Sequence, residues 1–307
     1  MNLELIAFGF VIGAFLFLLL AFFFVRLRRR AAEPYQPAVA RIEGGGIKRG
    51  LTPPEGAVLL GKPLNLTLTL VIFDMLRKSF IRQTAAWPLT VEVDEDFRTH
   101  GQGLSVQARG EKRRKAAQAI NATLHKYEEP FLEILETNPG LPVHQLDFGV
   151  AIQPLVRYVA GRVGDFNLQE TRDYYRLIIE RAPREARSDG KLTFVRQKVF
   201  DRNFGWVLLG EDFGAVLDAA DYSYVPAWMR VVPKSETTQE FAALPGKATQ
   251  TPANDLGGRS FAAWAKEVFA SLEGAIDEKD VKLTLGQESD AVTATLLNDI
   301  GRATFYG

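Results

Sequence analysis

Three histidines, several carboxylate and basic clusters and no cysteine are the groups in this 307-residue chain that could do chemistry. His100 sits in a glycine-flanked polar stretch, His125 between charged and aromatic neighbours inside a helical pattern, and His144 beside Pro142. No two lie at metal-ligand spacing and no HExxH is present, so each reads as a surface or helix-face side chain. The run Glu92, Asp94, Glu95, Asp96 imitates the start of a calcium loop, but the twelfth position counted from Asp94, where a bidentate Glu is needed, is Ser105. A solvated strand end and turn explains it better. Glu211, Asp212, Asp218 and Asp221 read as polar helix faces rather than a general acid/base pair. Gly44-Gly45-Gly46 lacks both the preceding strand and the Lys-Ser/Thr of a phosphate loop, and no GxSxG elbow occurs. The absence of cysteine removes disulfides, thiol catalysis and cysteine-ligated metals. No catalytic, cofactor-binding or metal-binding residue is therefore expected, and the chain does not read as an enzyme.

Arg109, Lys112, Arg113, Arg114 and Lys115 form a basic cluster that could touch phosphates. The plainer reading is a charged helix start on a solvated face. What weighs against DNA is the only segment placed to be a recognition helix, Leu64 to Leu76, with nine large apolar residues and a single charge, Asp74. Base readout needs Arg, Lys, Asn or Gln pointing outward. Nucleic acid is not expected as a partner.

The elements that must position these groups are mainly helical. Thr52 can cap a short helix with Pro53 at its first position and Glu55 in its first turn, and Gly61 ends it. Leu64 to Ser79 carries Leu66, Leu70, Phe73 and Leu76 at helical spacing, although Leu64 to Leu70 also alternates as a strand would. Phe80 to Gln83 and Leu89 to Val93 then read as two short strands around Trp87-Pro88. Helix, helix, hairpin is the order of a winged-helix domain, placed over residues 51–107. Residues 108–230 read as a helical domain and a possible second unit of that kind. Within it, 111–137 forms one amphipathic helix bent or restarted at Pro130, and Asn167 with Glu170 starts a helix carrying Tyr174, Leu177, Ile178 and Arg181. Residues 231–260, rich in Thr, Ser, Pro and Gly, read as a linker. In 261–307 an amphipathic helix presents Phe261, Trp264, Val268 and Phe269, either to the body of the same chain or to a partner or membrane surface; these four are the candidate docking residues.

The start of the chain is different in kind. Leu5 to Val25 is a run of apolar residues without charge or proline, as long as the hydrocarbon core of a bilayer requires. A single Glu4 precedes it and Arg26, Arg28, Arg29 and Arg30 follow, so the positive-inside bias assigns residues 5–25 to a transmembrane helix with the N-terminus outside and the bulk of the chain on the cytoplasmic side of the plasma (inner) membrane. Residues 26–62 hold eight Lys or Arg against three Glu, while 63–307 carry 29 against 33. Segment 26–50 is thus a basic juxtamembrane collar and linker suited to membrane lipids.

The stretches LTPPEGAVLLGKPLNLTLTLVIFDMLRKSFIRQ, GDFNLQETRDYYRLIIERAPREARS and FGWVLLGEDFGAVLDAADYSYVPAWM resemble a family of predicted bacterial single-pass membrane proteins of unknown function with a cytoplasmic winged-helix-like module. The resemblance covers Leu51 to Trp228 and implies an anchored, cytosol-facing helical module without bringing catalytic residues. The combined expectation is a mainly α chain with a small β wing, an N-terminal transmembrane helix and winged-helix-like module(s). Its expected function is a membrane-anchored scaffold or accessory subunit that binds protein partners, with a membrane-tethered DNA-binding regulator as the alternative.

Overall fold

The computed structural model describes residues 46–187, 194–211, 213–218, 226–229, 260–275 and 291–306. Helix α1 (Pro53–Leu59) starts at the capping box read from the sequence: the Glu55 carboxylate accepts the Thr52 N–H at 2.6 Å, and Pro53 occupies the position whose N–H would have no partner. Gly61, at φ 61°, turns the chain into α2 (Leu64–Arg77). Nearly every side chain of α2 from Leu64 to Leu76 is buried, because α1, the hairpin and three later helices cover it from different sides. Its buried threonines satisfy themselves along the helix, Thr67 Oγ1 donating to the Pro63 carbonyl at 3.2 Å and Thr69 Oγ1 to Asn65 at 2.8 Å.

Strands β1 (Ile81–Ala85) and β2 (Thr90–Val93) form an antiparallel two-stranded sheet, with Ile81 opposite Val93 and the ion pair Arg82–Glu92 crossing its exposed face at 2.9 Å. A 3₁₀ turn (Glu95–Phe97) leads to α3 (Val106–Ala119), which stops where Asn121 enters the left-handed region at φ 56°. Helix α4 (Glu128–Thr137) then starts afresh with Pro130 in its first turn. The helix expected over 111–137, bent or restarted at Pro130, is therefore two helices, and the break lies ahead of the proline. A long α5 (Gly149–Val163), α6 (Leu168–Arg187), α7 (Phe194–Leu208) and short α8 (Phe213–Asp218) follow. Asn167 and Glu170 do pair at the start of α6, at 3.1 Å. Helices α9 (Phe261–Ser271) and α10 (Ala291–Tyr306) complete the described elements.

The expected fold class needs correcting. Among the described residues no helix is long and apolar enough to cross a membrane, and segment 5–25 lies outside them. The helix–helix–hairpin segment is also not a winged-helix unit with a reading helix at its surface. Helix α2 is apolar all round, as a central core helix is, and Phe73 alone meets Phe204 of α7 at 5.9 Å and Trp264 of α9 at 5.4 Å between ring centres. The resulting architecture is a mostly helical body, Ile42–Gly307, organised around a buried α2, with one small hairpin at its side.

Candidate functional site

The last turn of α2 carries Asp74, Arg77 and Lys78, all drawn toward the start of α4. Lys78 Nζ lies 2.7 Å from Asp74 Oδ2 and 2.7 Å from Glu128 Oε1, so one ammonium serves two carboxylates. The first contact is an ion pair whose angle does not make a hydrogen bond, which leaves Asp74 Oδ2 without one. Asp74 Oδ1 receives Arg77 Nη2 at 2.5 Å, and the other oxygen of Glu128 accepts the His125 backbone N–H at 2.7 Å. Glu128 is fully buried. Burial raises the Asp74 carboxyl, but Lys78 and Arg77 outweigh it and hold the group below its ordinary value. Burial lowers Lys78, but Asp74 and Glu128 outweigh that and raise it. Glu128 is left as the odd charge: burial, against Lys78 and with Asp74, pushes it up to about 7.

A second buried pair closes the cluster on the α5 side. Glu55 is fully buried, and both its oxygens are held by Arg162 Nη1 at 2.5 and 2.6 Å, while Arg162 Nη2 donates to the Gly50 carbonyl at 2.9 Å. The Tyr127 and Thr52 hydroxyls meet at 3.2 Å, and the Leu51 N–H donates to the Tyr175 hydroxyl at 2.8 Å. Tyr127 stacks on His125 at 5.4 Å and packs against Tyr158 at 5.3 Å. These contacts tie α1, α2, α4, α5 and α6 together, and they bind both buried glutamates to neighbours within the fold.

Above the cluster, the loop into α4 and the outer face of α5 enclose a groove of about 510 Å³. Four cations line it, Arg114, Lys126, Arg157 and Arg162, together with His125 and Tyr158; no carboxylate is in the lining. Burial, then repulsion by Lys78, brings the His125 ring down to about 4, so at neutral pH it is an uncharged hydrogen-bonding group, its Nδ1 3.5 Å from the Tyr158 hydroxyl. The arrangement suits an anion. A larger cleft of about 730 Å³ between the α1–α2 corner and α6 has an apolar floor of Ile179, Leu209 and Val216, but its rim alternates Arg176, Glu180 and Arg184 and selects no charge.

The basic cluster read from the sequence does not form one face. Arg113 is buried and holds Glu133, Glu136 and the Phe97 carbonyl; Arg109 pairs with Glu133; Lys112 donates to the Arg98 carbonyl and to Gln102, each at 2.9 Å. Lys115 pairs with Glu111 at 2.9 Å, and Arg114 faces the groove. In the acidic run, Glu92 pairs with Arg82 and Arg98, and Asp94 caps the 3₁₀ turn. His100 is exposed and His144 half-buried in a second 3₁₀ turn (Val143–Gln145).

The candidate docking residues sit inside the chain. Phe261, Trp264 and Val268 are buried, Trp264 donates its indole N–H to the Ala86 carbonyl at 2.8 Å, and Phe269 is half-buried. Their apolar stripe is the seam by which α9 packs on α2, so it offers no surface for a partner. Arg26, Arg28, Arg29 and Arg30 lie outside the described residues. Sequence reasoning missed Glu55, Lys78, Glu128 and Arg162 as a set. Asp74 and Lys78, one turn apart at the end of an apolar helix, were the readable signal; Glu55 and Arg162 are 107 residues apart and left none. No protein-family model, curated protein or solved structure matches the chain, so its own residues carry the functional reading.

Proposed function

We propose that this chain is a non-catalytic adaptor that binds an acidic segment of a protein partner through the groove between the α4 entry loop and α5. One observation carries the reading: four cations and a tyrosine line the groove, no carboxylate is in that lining, and two of the cations, Arg114 and Lys126, have no carboxylate partner among the described residues. Glu55 and Glu128 are fully buried. Neither buried acid is in the lining, so no carboxylate general acid or base is offered to a bound group there. The membrane address belongs to the same proposal and rests on the sequence of residues 5–30. The regulator alternative is disfavoured by two placements: Arg109, Lys112 and Arg113 are engaged within the fold, and α2 is a core helix.

The test is site-specific photo-crosslinking in cells from position 123, on the groove wall, in the full-length chain. A discrete protein adduct is expected, and Arg114→Glu with Lys126→Glu should abolish it while leaving thermal stability unchanged. An adduct indifferent to both reversals would reject the groove as the docking site.

A further inference from the structure

We propose that the groove takes a phosphate monoester dianion, carried as a phosphorylated side chain on the partner; this deepens the adaptor reading and rests on it. Arg162 is answered within the fold, its Nη1 lying within 2.6 Å of both oxygens of Glu55, one of which also accepts the Thr52 N–H. Arg157 makes a contact of its own and is left out of the charge balance. Arg114 and Lys126 remain, one from α3 and one from the loop into α4. Among the described residues neither has a carboxylate partner; Glu111, the acid that Arg114 influences, is paired with Lys115. Two such cations balance the charge of a phosphate monoester, which carries about −1.5 to −2 charges at pH 7.

The neutral groups of the lining fit the same ligand. Thr123 and Tyr158 bring hydroxyls and His125 an uncharged imidazole, hydrogen-bonding groups that can reach phosphate oxygens without adding charge. Gly161 opens the α5 wall: a Cβ built there would meet nothing within 4 Å, so the space beside Arg157 and Tyr158 is clear. Clusters of basic residues around a small polar pocket are a recurring way to read phosphorylated segments. A lipid headgroup presents the same chemistry from a membrane, so the test separates the two sources.

The full-length chain is titrated with inorganic phosphate, with acetate and with phosphotyrosine amide, following the His125 ring resonances. Phosphate and phosphotyrosine amide are expected to bind at least tenfold more tightly than acetate, and Arg114→Gln with Lys126→Gln to weaken them at least tenfold. Equal affinity for phosphate and acetate, or affinity unchanged in the double variant, overturns the proposal. In the third arm, vesicles containing phosphatidic acid should not compete with phosphotyrosine amide; competition lost in the double variant would assign the groove to lipid and overturn the protein source. The two readings fail separately. Charge-dependent crosslinking without phosphate selectivity defeats this inference and spares the adaptor, whereas phosphate binding with a charge-indifferent crosslink defeats the adaptor.

Discussion

Glu128 and His125 are shifted in opposite directions over the same pH range, and their variants should expose this. Glu128 has an ordinary value of 4.5 and is pushed up to about 7. The folded chain therefore holds a proton there that the unfolded chain has lost, and this contribution to stability falls as pH rises from 4.5 to about 7. His125 has an ordinary value of 6.5 and is brought down to about 4, so the unfolded chain holds the extra proton and stability rises with pH from about 4 to 6.5. Each group contributes a slope of about 1.4 kcal/mol per pH unit, or about 2 kcal/mol between about pH 5 and 6.5. The two slopes cancel in the native chain, because folding exchanges an unfolded Glu⁻/His⁺ pair for a folded neutral pair of the same net charge. Chemical denaturation of the full-length chain should show little dependence on this pair across that window. Glu128→Gln, which fixes the neutral form, should make stability rise by about 2 kcal/mol from about pH 5 to 6.5, and His125→Gln should make it fall by about the same amount. Asp74 and Glu136, held low by their cationic and N–H partners against the effect of burial, lose their contributions only below the ordinary carboxylate range and do not disturb the comparison. Identical pH profiles for the native chain and both variants would refute the opposed titration and the buried cluster that produces it.

Trp264→Ala should cost about 3 to 5 kcal/mol by denaturation, since it empties a fully buried indole site stacked on Phe73; a loss under about 1 kcal/mol would detach α9 from the core. Arg113→Met should cost about 2 to 3 kcal/mol, less than a fully orphaned ion would, because Glu136 keeps the N–H groups of Thr99 and His100; no loss would mean that the α3–α4 clamp is incidental. In Gly56→Ala the new methyl would lie 2.7 Å from the Trp206 ring, itself stacked on Tyr175. Overpacking there should outweigh the better helix propensity and lower stability by about 1 to 2 kcal/mol, with the Trp206 fluorescence reporting the displacement.

Local chemistry was legible wherever a few adjacent residues decide the outcome. The Thr52–Glu55 capping box, Pro53, Gly61, the two hairpin strands and the Asn167–Glu170 start of α6 lie where their side chains direct them. Helix α3 shows where that reading ends. Ala117, Ile120, Leu124 and Tyr127 keep helical spacing through a stretch that is not helical, because Asn121 leaves the helix by a left-handed turn and Leu124 and Tyr127 are buried from a loop. Three of the four are buried while Ile120 is exposed, so a loop pressed on the core can imitate the apolar spacing of a helix. For α2 the error ran the other way. Its apolar density argues against DNA reading, and the same density describes a helix enclosed on all sides, which the winged-helix order of elements obscures.

The basic cluster at 109–115 and the groove differ in whether their charges are answered. Five consecutive-looking cations on one helix suggest one electrostatic face, but Glu133 and Glu136 of α4 lie opposite and take up Arg109 and Arg113, and the carbonyl of Arg98 takes Lys112. Those partners are 14 to 24 residues away and acquire meaning only once the chain folds back on α3. Arg114 lines the groove instead, where Lys126, Arg157 and Arg162 join it with no carboxylate in the lining, Arg162 being held by Glu55 from within the fold. A charge run in a sequence is therefore a poor guide to a binding surface: its residues disperse over several faces, and each face selects its neighbours from elsewhere in the chain. In this fold the two groove cations without a carboxylate partner among the described residues, Arg114 and Lys126, come from separate segments, and their convergence beside Tyr158 and a neutral His125 sets the groove apart from a solvated helix face.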